Sequence, residues 1–278
     1  MDNDAAFIRL AATVKDAGAL ALQKQGGVEN VGKEEVGAAN ESERLKAMRR
    51  AKTIIDEQVQ EMLLGTAAEC WGDNVVIDAE EQTSSLSRFP KREGTRSLII
   101  DPIDGTLEYL EGHDSYSVCI ALIESGTLSF ALVYFPARDI AYGVAPDGRS
   151  YEYPSFATKE LSDARRAVLP PHAPRIVYKT RRVPEEFERR FTEAGFEVRG
   201  WDNYVQGLMA VFNGEAAGYL ACEPQIRDVL IGPVIGTAQG GFMCGWRGEK
   251  ITWPRSGRLA AGFFGNVALE KEFRAILS

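Results

Sequence analysis

The sequence has little histidine, few cysteines and no long hydrophobic run. Its two histidines, His113 and His172, are too few for a histidine-based zinc site or a Ser-His-Asp triad. The four cysteines are widely spaced without a CxxC pair, which indicates reduced thiols in a cytoplasmic protein. The apolar runs are too short to span a bilayer, and the first residues lack the pattern of a signal peptide. These absences favour a cytoplasmic protein without membrane contact.

The chain also lacks an excess of positive charge. Its 278 residues include 32 basic and 40 acidic side chains, for a net charge of -8. This balance argues against a protein that binds a nucleic-acid polymer through its phosphate backbone. An anionic substrate would therefore need a local positive feature, and bound metal would provide one. The length allows either one large domain or two lobes.

The most informative segment that is present is Asp101-Pro102-Ile103-Asp104-Gly105-Thr106, directly after the apolar run 97–100. The run predicts a buried strand, with two carboxylates at its carboxyl end. Pro102 restricts its own φ and pushes Asp101 toward extended geometry, so the segment is a stiff elbow. Carboxylates are ligands for Mg²⁺, which commonly shares its coordination with phosphate, and a following helix would offer N–H groups to the same phosphate. An ordinary turn between strands is the alternative, because these residue types are common in turns.

Hydrophobic periodicity predicts the order of the elements. We expect helices over 5–24 and 42–64, a short strand over 75–77, a basic surface loop over 83–96 and an antiparallel meander over 116–153. Residues 154–174 contain tandem prolines and indicate a crossover between domains. Strands and helices then alternate, as in α/β folds, over 175–179, 183–194, 196–200, 203–212, 216–221 and 229–239.

A further acid, Asp228, follows Ile226-Arg227. Pro233 is tolerated only in the first turn of a helix, so the helix that ends before Gly240 begins no earlier than about Val229. This position places Asp228 at or next to the N-cap, with its carboxylate at a helix end. For this residue alone, a plain Asp N-cap is the alternative interpretation.

Glu80-Glu81, the 101–106 hexamer and the segment 227–241 together resemble the inositol monophosphatase superfamily of Mg²⁺-dependent, lithium-sensitive phosphatases. The resemblance covers residues 45 to 245, and the hexamer is a complete match. In the segment 227–241, Arg227 stands where the signature of the superfamily has a tryptophan, and Leu230 and Ile231 stand where it has small residues. In haloacid-dehalogenase phosphatases a buried strand also ends in aspartates followed by Gly-Thr, but their D-x-D-G-T pattern has one residue between the acids instead of two.

The resemblance implies an α/β (α+β) fold, a layered αβαβα sandwich of the inositol monophosphatase and fructose-1,6-bisphosphatase type. An N-terminal α+β lobe, 1–153, would carry most metal ligands. A C-terminal α/β lobe, 154–278, would contribute Asp228 and substrate contacts. The resemblance leaves a homodimer open.

The resemblance also implies two or three Mg²⁺ ions and a role for each site residue. The metal ligands would be Glu80, Asp101, the carbonyl of Ile103, Asp104 and Asp228. The catalytic residues would be Asp56 and Thr106, which polarise the water that attacks phosphorus, and Glu80, which also serves a third ion through water. The substrate-binding residues would be Gly105, Thr106, Asn203 and Arg227.

The substrate implied is a small phosphorylated metabolite. Ala221 stands where inositol-binding members have an acid, which disfavours inositol 1-phosphate, and Glu108-Tyr109 resembles the continuation seen in 3′(2′),5′-bisphosphate nucleotidases. We therefore favour such a nucleotidase, with Arg227 as a contact for a second phosphate or, alternatively, an exposed arginine without that role. An inositol monophosphatase or another sugar phosphatase is the alternative. A non-catalytic relative that binds a phosphorylated metabolite is the alternative of another class.

Overall fold

The computed structural model describes residues 1–32, 52–72, 74–90, 94–201 and 203–278. These residues form seven α-helices and twelve β-strands in two sheets. The helices are α1 (Asn3–Lys24), α2 (Ile54–Trp71), α3 (Thr106–Leu110), α4 (Glu185–Glu193), α5 (Tyr204–Phe212), α6 (Gly232–Thr237) and α7 (Glu270–Leu277). The strands are β1 (Val76–Ala79), β2 (Arg96–Asp104), β3 (Ser117–Glu124), β4 (Thr127–Phe135), β5 (Ile140–Val144), β6 (Ser150–Pro154), β7 (Arg165–Arg166), β8 (Ile176–Lys179), β9 (Glu197–Gly200), β10 (Gly218–Cys222), β11 (Gly241–Cys244) and β12 (Ala261–Asn266).

The first sheet has seven strands in sequence order, β1 to β7. Strand β1 is parallel to β2, and every later neighbour is antiparallel. The predicted meander is therefore confirmed. Both faces of the sheet are buried, because Leu98 and Ile100 pack on α1 and α2 while Ile99 between them faces the opposite core.

The second sheet has the order β11-β12-β10-β8-β9 and is also covered on both faces. Helices α5 and α6 pack between the two sheets, in the core that contains Ile99, Leu208, Ile235 and Tyr219. Helices α4 and α7 cover the outer face, where Phe191 and residues of α7 join the sheet in a separate core. The layers are therefore α1/α2, first sheet, α5/α6, second sheet and α4/α7, which confirms the predicted αβαβα sandwich.

The second predicted helix, 42–64, has different ends in the structure. Its first part lies outside the described residues, but residues 52 and 53 are not helical and α2 begins at Ile54 with Thr53 as its N-cap. The predicted stop at Gly65 is wrong, since α2 continues to Trp71. A glycine inside a helix costs only about 1 kcal/mol, and the packing of Leu63, Leu64 and Ala67 on either side of it overrides that preference.

The predicted helix 229–239 is also corrected. A 3₁₀ turn, Arg227–Val229, precedes α6, which begins only at Gly232 with Pro233 in its first turn. Asp228 therefore lies inside the 3₁₀ turn and is not the N-cap of α6. The fully buried side chains of Leu230 and Ile231 fix the intervening residues in the core between the sheets. In the predicted basic loop, the described residues include a 3₁₀ turn, Ser84–Arg88.

The first sheet continues past the predicted lobe boundary at 153, because β7 pairs with β6. A bridge between Val168 and Gln239 then links the crossover segment to the end of α6. The division into lobes 1–153 and 154–278 stays a proposal. Across the described residues, no helix combines the length and the apolar character that a bilayer crossing requires.

Candidate active site

Asp101 and Asp104 lie on either side of a β-bulge at the end of β2. Asp101 is opposite Cys119 and Asp104 is opposite Ser117, so three residue steps on β2 face two on β3. Residues three apart in a regular strand point to opposite faces, and the additional residue of a bulge reverses that relation. Pro102 fits here because a bulge needs no N–H from it. The bulge therefore allows both carboxylates to turn to the same side.

Both of these carboxyl groups are buried without full hydrogen bonding. Oδ1 of Asp101 and Oδ2 of Asp104 are shielded from solvent and have no hydrogen-bond partner. Burial raises the pKa of Asp101 well above its usual value, and the charges of Glu80, Asp104 and Asp228 raise it further. Burial likewise raises the pKa of Asp104, with contributions from Asp228, Glu108 and Glu80. The carboxylates thus repel one another in a poorly solvated place.

Asp228 approaches the same place from the 3₁₀ turn before α6. Burial raises its pKa to about 7; the charge of Arg227 acts against that rise and the charge of Glu80 adds to it. We call Glu80, Asp101, Asp104 and Asp228 the acid cluster. Within the described ranges, no group of three or more Asp, Glu, His or Cys side chains is arranged closely enough to hold a metal ion as it stands. The cluster is therefore defined by burial and by mutual electrostatic effects.

Helix α2 places Asp56 beside Thr106. Thr53 and Asp56 form a capping box, in which Asp56 Oδ2 accepts the Thr53 N–H at 2.8 Å and the Thr53 hydroxyl at 2.7 Å. The other oxygen, Oδ1, is 3.1 Å from Thr106 Oγ1, which also lies 3.0 Å from the carbonyl oxygen of Ile103. One hydroxyl proton can serve only one of these acceptors at a time. Asp56, Thr106 and Ile103 thus form a buried polar contact next to the bulge.

Helix α2 also fixes the acidic segment after β1. The buried side chain of Gln60 accepts the N–H of Glu81 at 2.8 Å and donates to the carbonyl of Glu81 at 2.6 Å. The Lys52 ammonium lies 2.9 Å from Glu81 Oε2 and 2.7 Å from Glu57 Oε1. Glu81 is thereby held by α2 and by Lys52, and its neighbour Glu80 is the member of the pair that acts on the cluster.

Gly105 connects the bulge to α3. Its φ of +82° lies in the left-handed region, which a residue with a side chain enters only with strain. This conformation lets α3 begin immediately at Thr106 and brings Glu108 back toward Asp104. Glu108 is itself buried, at 4% exposure.

The two remaining predicted residues have defined contacts of their own. Arg227 Nη1 is 3.3 Å from Asp78 Oδ1, and Asp78 Oδ2 accepts the Gly257 N–H at 2.6 Å. Asn203 is the N-cap of α5, where its side-chain oxygen accepts the Gln206 N–H at 2.9 Å. Their predicted substrate contacts stay predictions.

Three residues of the site were missed by reasoning from the sequence. Asp78 and Gln60 make contacts with partners far away in the chain, Arg227 and Glu81, which no local pattern reveals. Glu108 gave a weak signal, since it lies two positions after Thr106 at the start of a short helix. Its acidic character was interpreted only as a marker of substrate class.

Comparison with known proteins agrees with this geometry. Residues 10–276 match the profile of the inositol monophosphatase family. The chain belongs to that family. The resemblance found in the motifs is therefore confirmed.

Individual relatives place the chain among its members. It is 24% identical over 220 residues to the Nus factor SuhB of Pasteurella multocida, covering 78% of this chain and 79% of SuhB. It is 26% identical over 172 residues to the 3′(2′),5′-bisphosphate nucleotidase CysQ of Escherichia coli K12, covering 60% of this chain and 67% of CysQ. The crystal structure of an IMPase/NADP phosphatase complexed with Mg²⁺ and phosphate superposes with a TM-score of 0.68 at 16% identity, over 94% of this chain and 90% of the other. This structural likeness shows the shared fold.

Proposed function

We propose that the protein is a Mg²⁺-dependent phosphatase that hydrolyses a small phosphate monoester. The acid cluster carries this proposal, because it holds two buried carboxylate oxygens without hydrogen-bond partners next to the Asp56–Thr106 contact. Buried carboxylates of this kind either keep their protons or bind cations. The family supports the second outcome, and the relative of known structure that was crystallised with Mg²⁺ and phosphate has the same fold.

The residues present fit hard divalent cations. The donors are all oxygens, the preference of Mg²⁺. We propose that Glu80, Asp101, Asp104, Asp228 and the carbonyl of Ile103 hold two or three ions. When bound, such ions lower the pKa of water and stabilise negative charge on phosphate oxygens. Among the described residues these side chains do not yet converge on one point, so their rotamers would change when metal binds.

The Asp56–Thr106 contact supplies an acceptor for a proton. With its hydrogen bond directed to Asp56 Oδ1, the Thr106 oxygen keeps lone pairs that can accept a hydrogen bond from the attacking water. The capping box holds Asp56 Oδ2 and so fixes the direction of Oδ1. Proton transfer then requires no histidine, in agreement with the composition. Glu80, at the end of β1, would act on the same water.

For the substrate, we propose a 3′(2′),5′-bisphosphate nucleotide. The CysQ relative and Ala221, at the position of the inositol-binding acid, support it. Gly105, Thr106 and Asn203 would line the binding place of the ester. Arg227 has further N–H donors besides the one near Asp78, and these would contact a second phosphate. An inositol or sugar phosphatase is the alternative within the family.

A panel of phosphate monoesters tests the proposal. Phosphate release from the full-length protein is measured with Mg²⁺, with EDTA and with Mg²⁺ plus Li⁺. We expect release only with Mg²⁺, inhibition by Li⁺, and the highest kcat/KM for 3′-phosphoadenosine 5′-phosphate. A preference for inositol 1-phosphate would replace the nucleotidase assignment and leave the phosphatase assignment intact.

The SuhB relative supports a second candidate function. It is named a Nus factor rather than an enzyme. The segment 227–241 of this chain also departs from the signature of the superfamily at Arg227, Leu230 and Ile231. The second candidate is a protein that binds a phosphorylated metabolite without turnover. Binding of a panel compound by calorimetry, with no Mg²⁺-dependent release from any of them, would favour it over the phosphatase.

A further inference from the structure

Arg227 places a positive charge against the acid cluster. Its side chain is 21% exposed and that of its partner Asp78 is 11% exposed, so the ion pair is largely removed from solvent. The Gly257 N–H fixes the other oxygen of Asp78. Asp78 lies two residues before Glu80, and Arg227 directly precedes Asp228. The guanidinium is thus held between the two segments that bring acids to the cluster from β1 and from the 3₁₀ turn.

The electrostatics show which groups feel this charge. Burial alone lowers the pKa of the Arg227 guanidinium, but the carboxylates of Glu80, Asp101, Asp228 and Asp78 raise it by more. The strand register places these acids together, since β1 pairs in parallel with β2 and Ala79 lies opposite Ile100, directly before Glu80 and Asp101. Three of its four electrostatic partners belong to the acid cluster.

We propose that Arg227 is a built-in counter-cation of the acid cluster, whose charge stabilises the metal-free fold and weakens the binding of Mg²⁺ to the cluster. The inference rests on the proposed function in treating the cluster as the Mg²⁺ site. A fixed guanidinium offsets part of the carboxylate repulsion, and the same charge repels an arriving divalent cation. Arg227 is therefore a positioning residue that sets metal affinity.

Calorimetric titration of full-length protein with Mg²⁺ provides the first test. Arg227→Met removes the charge and keeps most of the side-chain length. We expect its Kd for Mg²⁺ to fall about tenfold, equivalent to about 1.4 kcal/mol. Arg227→Lys, which keeps the charge, should stay close to wild type. An unchanged Kd in Arg227→Met would overturn the inference.

Arg96→Met is the matched control for this titration. Arg96 also forms a partly buried ion pair, 2.6 Å from Glu124 with 25% of its side chain exposed, but it lies at the opposite end of β2 from Asp101. We expect Arg96→Met to leave the Kd for Mg²⁺ unchanged. Equal tightening in both arginine variants would indicate a general effect of net charge and would contradict the specific role of Arg227.

A double-mutant cycle in EDTA tests whether the charge of Arg227 stabilises the metal-free fold. Urea unfolding is compared for wild type, Arg227→Met, Glu80→Gln and the double variant. We expect Arg227→Met to be destabilised and most of that loss to disappear in the Glu80→Gln background, a coupling of about tenfold in the unfolding equilibrium constant. Additive effects would overturn the counter-cation role. If Arg227→Met does not fold, Arg227→Gln takes its place in the same cycle.

The two experiments separate this inference from the proposed function. If neither wild type nor Arg227→Met binds Mg²⁺, the proposed function is contradicted, and the cycle in EDTA then supports or overturns the counter-cation role by itself. If wild type binds Mg²⁺ and hydrolyses a phosphate ester while Arg227→Met binds with the same Kd, the inference alone falls.

Discussion

At the scale of single residues, the site is a compromise between burial and charge. The carboxyl groups of Asp101 and Asp104 each keep one buried oxygen without a partner, a state that costs about 1–3 kcal/mol per unsatisfied group. Such a cost is tolerated where function requires it. The residue types and their order were readable from the sequence, whereas the hydrogen bonds and the burial that define their state were not.

Replacing Asp104 by asparagine separates charge from shape. We expect turnover to fall by roughly two to four orders of magnitude, because the change removes a proposed metal ligand's charge. The metal-free protein should be as stable as wild type or more stable, since repulsion from Asp228, Glu108 and Glu80 is relieved. Steady-state kinetics and urea unfolding measure the two effects. Asp114→Asn, at an exposed position paired with Arg138, is the control and should keep its turnover; near-wild-type activity of Asp104→Asn would remove that residue from the mechanism.

The pH dependence of the metal-free protein follows from the raised pKa values. Asp228 has a pKa of about 7 in the folded chain, against about 4 when unfolded. Between these values the folded chain holds a proton that the unfolded chain has released, so stability falls as pH rises from about 4 to about 7. The raised pKa values of Asp101 and Asp104 act in the same direction. In EDTA, the urea midpoint should be lower at pH 8 than at pH 5, and Asp228→Asn should flatten this difference; a midpoint that rises with pH would contradict it.

At the scale of elements, local pattern predicted most of the fold. Continuous apolar segments separated by turns gave the meander correctly, because both faces of the first sheet are buried, and Pro233 correctly limited the start of α6. The predicted C-terminal end of α2 was wrong, because the burial of Leu64 and Ala67 on either side of Gly65 outweighs the helix-breaking preference of that glycine. The pairing of Asp78 with Arg227 joins residues 149 positions apart. Such pairings depend on the assembled layers and are therefore invisible to local reasoning.

The capping box of α2 links helix stability to the site. Thr53→Ala removes the hydroxyl that contacts Asp56 and caps the helix. We expect a loss of about 1 kcal/mol in unfolding free energy and, because Asp56 loses its fixed orientation toward Thr106, a fall in kcat of about tenfold or more. Asp2→Ala removes the cap of α1, far from the site, and should cost similar stability without the fall in kcat. Equal kcat values in the two variants would show that the orientation of Asp56 does not matter for the reaction.

At the scale of the whole molecule, the two sheets share one core. The cluster between them includes Ile99 and Val133 of the first sheet, Tyr219 of the second and residues of α5 and α6. A shared core implies that the proposed lobes unfold together in one transition. The homodimer stays a prediction that sedimentation of the purified protein decides.

Leu230 tests this shared core. It is fully buried between the sheets, two residues after Asp228, so Leu230→Ala should cost about 2–5 kcal/mol. The substitution would leave a cavity that borders both sheets. The unfolding transitions followed by circular dichroism and by tryptophan fluorescence should therefore have the same, lowered midpoint. Leu22→Ala, at a side chain 45% exposed on α1, is the control and should change stability little. Separate transitions in Leu230→Ala would show that the lobes unfold independently.

The bulge in β2 has a consequence for how this protein tolerates change in chain length. Asp101 and Asp104 share a side because three steps on β2 are matched to two on β3. Substitutions at Pro102 or Ile103 alter this segment but keep the count. Loss of one of these residues would return β2 to regular pairing and leave the acids two positions apart, and loss of Ile103 would also remove the carbonyl that now lies against Thr106. In this elbow the number of residues between the two acids is itself under constraint, because a one-residue deletion would change the spacing of the carboxylates where a substitution would preserve it.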